Sequence, residues 1–335
     1  MWDAMNEFGR RNIPCLFIID FEAKQPVVVP LESAAEQNIF FNIKGFKNYL
    51  PSTLLPEQVT WNKRPVAFEQ YRKAFDLVQY HLRIGDSFLV NLTLPTPVKT
   101  NLSLQQIFEY SIAPYRLWYK DQFVVFSPES FVTIQNGMIA SFPMKGTIDA
   151  QMPDAEQIIL NDAKEKAEHN TIVDLIRNDL SSVAEKVRVT QFRYLDRIST
   201  NTKDLLQVSS KITGQLPANY TASLGDIFQK LLPAGSICGA PKPKTLSIIR
   251  QAEQYHRGYY TGIFGYYVNG NVESGVMIRF IEQNEQGLIY KSGGGITVFS
   301  EAEKEYQELI DKVYVPIHRN NPHFQWQYRA STLAQ

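Results

Sequence analysis

Phe131-Val132-Thr133-Ile134-Gln135-Asn136-Gly137-Met138-Ile139-Ala140-Ser141-Phe142 is the stretch on which the fold turns. Two short runs rich in β-branched and apolar residues flank an Asn-Gly pair. Asn-Gly suits the left-handed backbone of a two-residue hairpin turn, so the stretch reads as an antiparallel strand pair. Residues 264–268 and 272–281 repeat the pattern around Asn269-Gly270. Strand-like runs also occupy residues 14–22, 87–94, 123–126 and 288–292, and residues 182–212 mix β-branched residues with charges and supply several more.

Helices alternate with these hairpins. Phe68, Tyr71, Phe75, Val78 and Leu82 recur at steps of three and four until Gly85 stops them. Long helical patterns follow Pro153 to about Asn178, then recur over 224–232, 244–254 and 300–315, the last with an acidic first turn. Hairpins mixed with helices predict an α+β fold, antiparallel sheets with helices packed outside. No linker-like stretch divides the chain, so one domain is expected. Within it, residues 1–64 form an N-terminal strand-containing segment, 65–318 the main region, and 319–335 a polar tail.

Composition narrows the function. The chain has 335 residues, 44% of them hydrophobic, enough to bury a core. Its 34 basic and 34 acidic residues balance, without the basic excess of a nucleic-acid or membrane-surface binder. Cys15 and Cys238 lie far apart, outside any metal-ligand spacing, which fits a reducing compartment. The apolar run 13–19 is too short to span a bilayer and lacks a signal-peptide layout. The expected location is the cytoplasm.

Six segments carry the chemistry. Pro143-Met144-Lys145-Gly146-Thr147 puts a lysine at a strand end, where a glycine lets a ligand approach the backbone. Alone it equally describes a solvated strand terminus. Glu165 and Glu168 share one helix face, as do Glu305 and Glu308 on the last helix. Converging, the two pairs would make an oxygen-rich site of the kind Mg²⁺ uses; separately, each describes a solvated helix face. The 232–242 stretch, with Gly235, Ser236 and Gly239, opens a helix and could hold an anion. Ser292-Gly293-Gly294-Gly295-Ile296-Thr297 reads as a strand-to-helix turn whose amides could converge on a carboxylate. Arg279 sits in the apolar strand Val276-Met277-Ile278-Arg279-Phe280 and needs an anionic partner, either substrate or an internal carboxylate.

In this order and spacing the segments resemble the chorismate-utilising enzymes. The resemblance rests on Ser127-Pro128-Glu129-Ser130-Phe131, residues 143–147, Ala167-Glu168-His169 through Asp179, residues 233–242, Arg257-Gly258 through Tyr266, Arg279, and 292–297 followed by Glu305 and Glu308. It spans roughly residues 65–315. It implies a single α+β domain of two antiparallel sheets around a deep central site.

Lys145 places the resemblance with the aminodeoxychorismate synthase component I branch, where anthranilate synthase component I usually has alanine. Isochorismate and salicylate synthases use a different, water-activating lysine, whose place is taken here by Leu89, a residue unable to act as a base. The resemblance implies that Glu168 and Glu308 hold Mg²⁺, with Glu165 and Glu305 beside them. Tyr260, Arg279 and the Gly293, Gly294 and Gly295 amides would bind the substrate carboxylates, with Ser236, Gly146 and Thr147 lining the site. Glu129 would be the general acid for the departing C4 hydroxyl, and Lys145 the nucleophile at C2. Ammonia, supplied by a separate glutamine amidotransferase subunit, would then give 4-amino-4-deoxychorismate for p-aminobenzoate and folate synthesis.

Gln207 stands where the family often has histidine, and Leu89 also replaces a common glutamine. Residues 31–34 look only superficially like the tryptophan-binding segment of longer relatives, whose N-terminal region is truncated here, so tryptophan regulation is not expected. Two alternatives remain open. Anthranilate synthase component I differs in product, and a non-catalytic chorismate-binding subunit would bind without turnover; the intact Lys145 and four glutamates argue against the second.

Overall fold

The structure, a computed structural model, describes residues 1–199 and 204–317; the polar tail from residue 319 lies outside the described residues. Helix α1 (Trp2–Arg10) leads into strand β1 (Cys15–Ile19), whose five residues are all buried. The charged, proline-containing passage that follows is more structured than its sequence suggests. It holds β2 (Val27–Pro30), β3 (Ile39–Ile43), β4 (Phe46–Lys47) and β5 (Trp61–Lys63). Next come α2 (Phe68–Arg83), β6 (Leu89–Thr100), α3 (Leu104–Tyr110), β7 (Tyr115–Tyr119) and β8 (Phe123–Ser127). The expected hairpin is β9 (Ser130–Gln135) and β10 (Met138–Ser141), and Asn136 (φ 51°) and Gly137 (φ 75°) make its turn.

β11 (Met144–Asp149) precedes α4 (Ala155–Asn161) and α5 (Ala163–Ser181). The long helix expected after Pro153 is broken at Asp162, which leaves helical geometry and caps α5 by accepting from the Glu165 amide at 2.8 Å. β12 (Glu185–Ser199), β13 (Asp204–Gln215), α6 (Leu224–Leu231), α7 (Gly235–Cys238), β14 (Gly239–Ala240) and α8 (Lys242–Glu253) follow. The described chain closes with β15 (Ile263–Val268), β16 (Asn271–Val276), β17 (Phe280–Asn284), β18 (Gly287–Ile296) and α9 (Ala302–Asp311).

The strands form two antiparallel sheets with helices outside, the α+β architecture expected. The first runs β11-β13-β10-β9-β16-β15-β1-β2, with β12 also on β13. The second runs β14-β6-β18-β17-β8-β7-β3-β4, with β5 also on β6. The period-two geometry of each strand sorts its side chains between layers. On β1, Leu16 and Ile18 join Phe41, Leu117, Val125 and Phe280 of the second sheet, while Phe17 and Ile19 join Ile172, Ile176 and Phe228 on the helical side. On β6, Val90, Leu92 and Leu94 pack on α2, α8 and α9, which turns Leu89 and Asn91 the other way. Burying each such side chain contributes about 1.5–3 kcal/mol. Among the described residues no helix is long and apolar enough to cross a membrane.

β6 runs through Pro95 and Pro97, beyond the expected 87–94. It pairs with β18 along most of its length, but on the other edge only near its ends, with β14 and β5. The prolines therefore need no second ladder of amide donors. The expected single strand 272–281 is in fact two. β16 ends at Val276 in the first sheet, β17 starts at Phe280 in the second, and the chain crosses between the sheets at 277–279.

Candidate active site

A cleft of about 620 Å³ opens where the two sheets part. β11 brings Lys145 to it by a bulge. Lys145 pairs with Val208 and Thr147 with Gln207, leaving Gly146 as the extra residue at φ 77°. Gly146 also meets a spatial demand, since a Cβ there would stand 3.0 Å from Glu165 Oε2. Lys145 Nζ lies 3.5 Å from Glu168 Oε2, contributed by α5.

β18 supplies the opposite wall. Its glycines do not form the expected strand-to-helix turn: they are strand residues, Gly293, Gly294 and Gly295 facing Thr93, Leu92 and Asn91 of β6. β17 covers the other edge of β18 only as far as Lys291, so alternate amides of the glycine run face an open edge. The missing side chains make room. A Cβ at Gly294 would stand 3.5 Å from both Glu305 Oε2 and Glu308 Oε1, and one at Gly295 would stand 3.5 Å from Lys145 Nζ. Here the two glutamate pairs, distant in sequence, come to one cleft.

Lys312 was missed in the sequence. Its Nζ lies 2.5 Å from Glu308 Oε1 and donates to the Gly293 carbonyl at 2.9 Å. One turn beyond Glu308, it reads as the partner of an ordinary helix-surface pair, and only the cleft gives it meaning. Burial pushes the Glu308 carboxyl up, but Lys312, Lys145 and Arg279 together outweigh it and hold it below the usual range. Burial lowers Lys312 in turn, against the pull of Glu308.

Glu129, between β8 and β9, accepts a hydrogen bond from Ser236 Oγ at 3.1 Å. Burial raises its pKa, against the opposing pull of Ser236, Lys145, Arg279 and Lys312. The expected anion site at 232–242 takes a different form. Ser236 sits inside the four-residue α7 and serves Glu129, while Lys242 is committed to Asp179 at 2.8 Å and to the Leu231 carbonyl.

Arg279 is not within a strand. It occupies the crossing between sheets at φ 53°, with Nε 3.4 Å from Tyr314 Oη and its guanidinium over the Tyr314 ring at 5.5 Å. Among the described residues no carboxylate lies within ion-pair distance of it, so the internal salt bridge weighed from sequence is absent. Tyr260, buried and raised in pKa by that burial, lines the cleft nearby, as do Thr147, Gln207 and Leu89.

Beneath the cleft lies a charged pair that does not open to it. Arg257 donates to Glu253 at 2.6 and 2.9 Å, to the Asn91 carbonyl at 2.7 Å, to the Ile237 carbonyl at 3.0 Å and to Thr261 Oγ1 at 3.2 Å. Glu253 also accepts from the amide and hydroxyl of Thr93. His169, next to Glu168, turns inward to Ser210 Oγ at 2.7 Å, and burial lowers its pKa to about 4.

The donor set suits a hard cation. Glu165, Glu168, Glu305 and Glu308 are among the carboxylates that line the cleft, and among the described residues no three Asp, Glu, His or Cys side chains close into a ligand set of their own. Mg²⁺ takes one or two carboxylates and completes its shell with water and substrate oxygens, so an open set of this kind fits it.

Comparison with known proteins agrees with this architecture. The family described as chorismate binding enzyme matches residues 28–318. A Pasteurella multocida protein described as an uncharacterized PabA-like protein is 53% identical over 313 residues, covering 93% of this chain and 97% of that one. Aminodeoxychorismate synthase component 1 of Escherichia coli is 33% identical over 261 residues; the match covers 73% of this chain and 56% of that longer protein. The structure of MenF, the menaquinone-specific isochorismate synthase of Escherichia coli, shares the fold at 14% identity, with a TM-score of 0.70 over 91% of this chain and 78% of that one. With the match running through both sheets and every wall of the cleft, the chain belongs to the chorismate binding enzyme family.

Proposed function

We propose that this chain aminates chorismate at C4, giving 4-amino-4-deoxychorismate from ammonia released by a separate glutamine amidotransferase subunit. The observation that carries the reading is Lys145, re-aimed by the Gly146 bulge to a point 3.5 Å from Glu168 and facing Gly295 across the cleft. Leu89, in the same layer, offers no base to activate water.

Chorismate is a dianion, and removing it from water calls for fixed cations and donors. Arg279, free of carboxylate partners among the described residues, would fork onto one carboxylate. The open-edge amides of Gly293 to Gly295 would take the other. Glu168 and Glu308, with Glu165 and Glu305 beside them, would hold Mg²⁺, which when bound supplies Lewis-acid charge to the substrate.

The Lys145 amine, once neutral, forms a bond to C2. The ring double bonds shift and the C4–O bond breaks. Glu129, whose pKa burial raises, gives its proton to the departing hydroxyl, which leaves as water. Ammonia then bonds to C4, and the C2–N bond to Lys145 breaks. A tethered amine outcompetes dilute ammonia in the first step because well-oriented intramolecular groups reach effective molarities of ~10⁵ M or more.

The test is to incubate the purified chain with chorismate, Mg²⁺ and ammonium and identify the product by mass spectrometry. The 4-amino product is expected, and chelation should abolish it. A 2-amino product would place the chain with the anthranilate synthases. Binding without turnover would make it a non-catalytic chorismate-binding subunit, and full turnover in excess chelator would remove the metal.

A further inference from the structure

Asn91 lines the cleft with an amide that has no partner. Its backbone carbonyl is held by Arg257 at 2.7 Å, but its buried Oδ1 accepts nothing and its Nδ2 donates nothing among the described residues. A buried amide oxygen without a donor costs on the order of 1–3 kcal/mol, so it is tolerated where a ligand completes it.

The register says where this amide stands. Asn91 is directly opposite Gly295, and directly opposed residues of an antiparallel pair share one face of the sheet. The Cβ position of Gly295 is 3.5 Å from Lys145 Nζ and 3.1 Å from Leu89 Cδ1. Leu89, Asn91 and Gly295 therefore make one layer that faces the lysine. Leu89 gives that layer nothing to orient water, and Gly295 gives it no side chain, which leaves the Asn91 amide as its polar side chain.

We propose that Asn91 Oδ1 holds the incoming ammonia for attack at C4. The inference rests on the amination reading above. Ammonia has N–H donors and a single lone pair, and the lone pair points at carbon only if acceptors hold the hydrogens. A carboxylate would do this while trapping the unreactive ammonium form. An amide oxygen accepts the same hydrogen bond and does not titrate. As the N–C4 bond forms, the C2–N bond to Lys145 breaks, the electron pair returns to Nζ, and Nζ takes up the proton that the new amine sheds.

The experiment uses ammonium chloride as the nitrogen source and reads two quantities: the KM for ammonium, and the yield of chorismate adduct on Lys145 without ammonium. Asn91→Leu, similar in size but lacking an acceptor, should raise the ammonium KM by roughly tenfold, the loss of one hydrogen bond, and leave adduct yield unchanged. Asn91→Asp keeps an oxygen in place but as a carboxylate, which holds the nitrogen as ammonium, so it should restore the ammonium KM while turnover to the 4-amino product stays below wild type. If Asn91→Leu does not fold, Asn91→Ala decides by the same two readouts. An unchanged ammonium KM in a folded variant overturns the proposal, and so does a parallel loss of adduct. If the wild-type chain forms no 4-amino product from ammonium, the amination reading fails and this inference falls with it; that outcome is separate from a wild-type enzyme whose variants leave the KM unmoved.

Discussion

Two charged pairs on the same framework are built on opposite terms. Arg257–Glu253 is 2% and 1% exposed, meets in two hydrogen bonds, and has its remaining donors and acceptors taken by Asn91, Ile237, Thr261 and Thr93. Lys145–Glu168 is 27% and 12% exposed and meets at 3.5 Å. A buried charge is tolerable only when fully partnered, so the first pair belongs to the scaffold. The loose second pair can exchange its contact for substrate. Saturation of hydrogen bonding, rather than residue type, separates the part that holds the site from the part that reacts.

The largest effect should come from the loose pair. Lys145→Ala should cut formation of the 4-amino product roughly ten-thousandfold, because a tethered nucleophile is lost. With C2 open to ammonia, some 2-amino product should appear, and wild-type protein trapped in turnover should carry an adduct on the Lys145 peptide. Wild-type rates with the 4-amino product alone, and no adduct, would reduce Lys145 to an electrostatic contact.

Breaking the saturated pair should instead be read in stability. Glu253→Ala leaves Arg257 buried and uncompensated, at a cost of about 3–5 kcal/mol. Urea unfolding measures this, and an unchanged midpoint would mean that water reaches the pair.

His169 extends the comparison to pH. Its unfolded imidazole takes a proton near pH 6.5, while the buried one resists until about 4. The unfolded state therefore binds more protons between those values. Stability is complete above pH 6.5 and falls as pH drops towards 4, by up to about 3 kcal/mol at ~1.4 kcal/mol per unit. His169→Gln should flatten that part of the unfolding curve. An identical slope in the variant would assign the effect to other groups.

The smallest change is at Arg279. Arg279→Lys keeps the charge and loses the fork, so kcat/KM for chorismate should fall by about tenfold, ~1.4 kcal/mol. If Arg279→Ala left kcat/KM intact, the residue would only brace Tyr314.

Local rules explain what the sequence revealed. The Asn136-Gly137 turn and the 68–82 periodicity are set by neighbours in the chain, and both are found as read. Arg279 was misplaced because the apolar residues on its two sides belong to different sheets, a division invisible to a pattern of two. Pro95 and Pro97 hid the second half of β6, since a proline argues against a strand unless its missing donor faces an unpaired edge. The lysine, arginine and paired glutamates of the cleft were legible through their family resemblance. Lys312 and Asn91 were not, because a helical lysine four residues after a glutamate and an asparagine in a strand carry no signal until the sheets place them.

β18 comes latest in sequence among the described strands, yet it lies inside its sheet, between β6 and β17. During synthesis β6 must wait for a partner encoded far downstream, with its long edge unsatisfied and open to pairing with other chains. The glycine wall, Glu305, Glu308 and Lys312 reach the cleft only when β18 inserts and α9 docks behind it. Competence therefore arrives in one late step, and an incomplete chain is exposed to aggregation before it can react with anything.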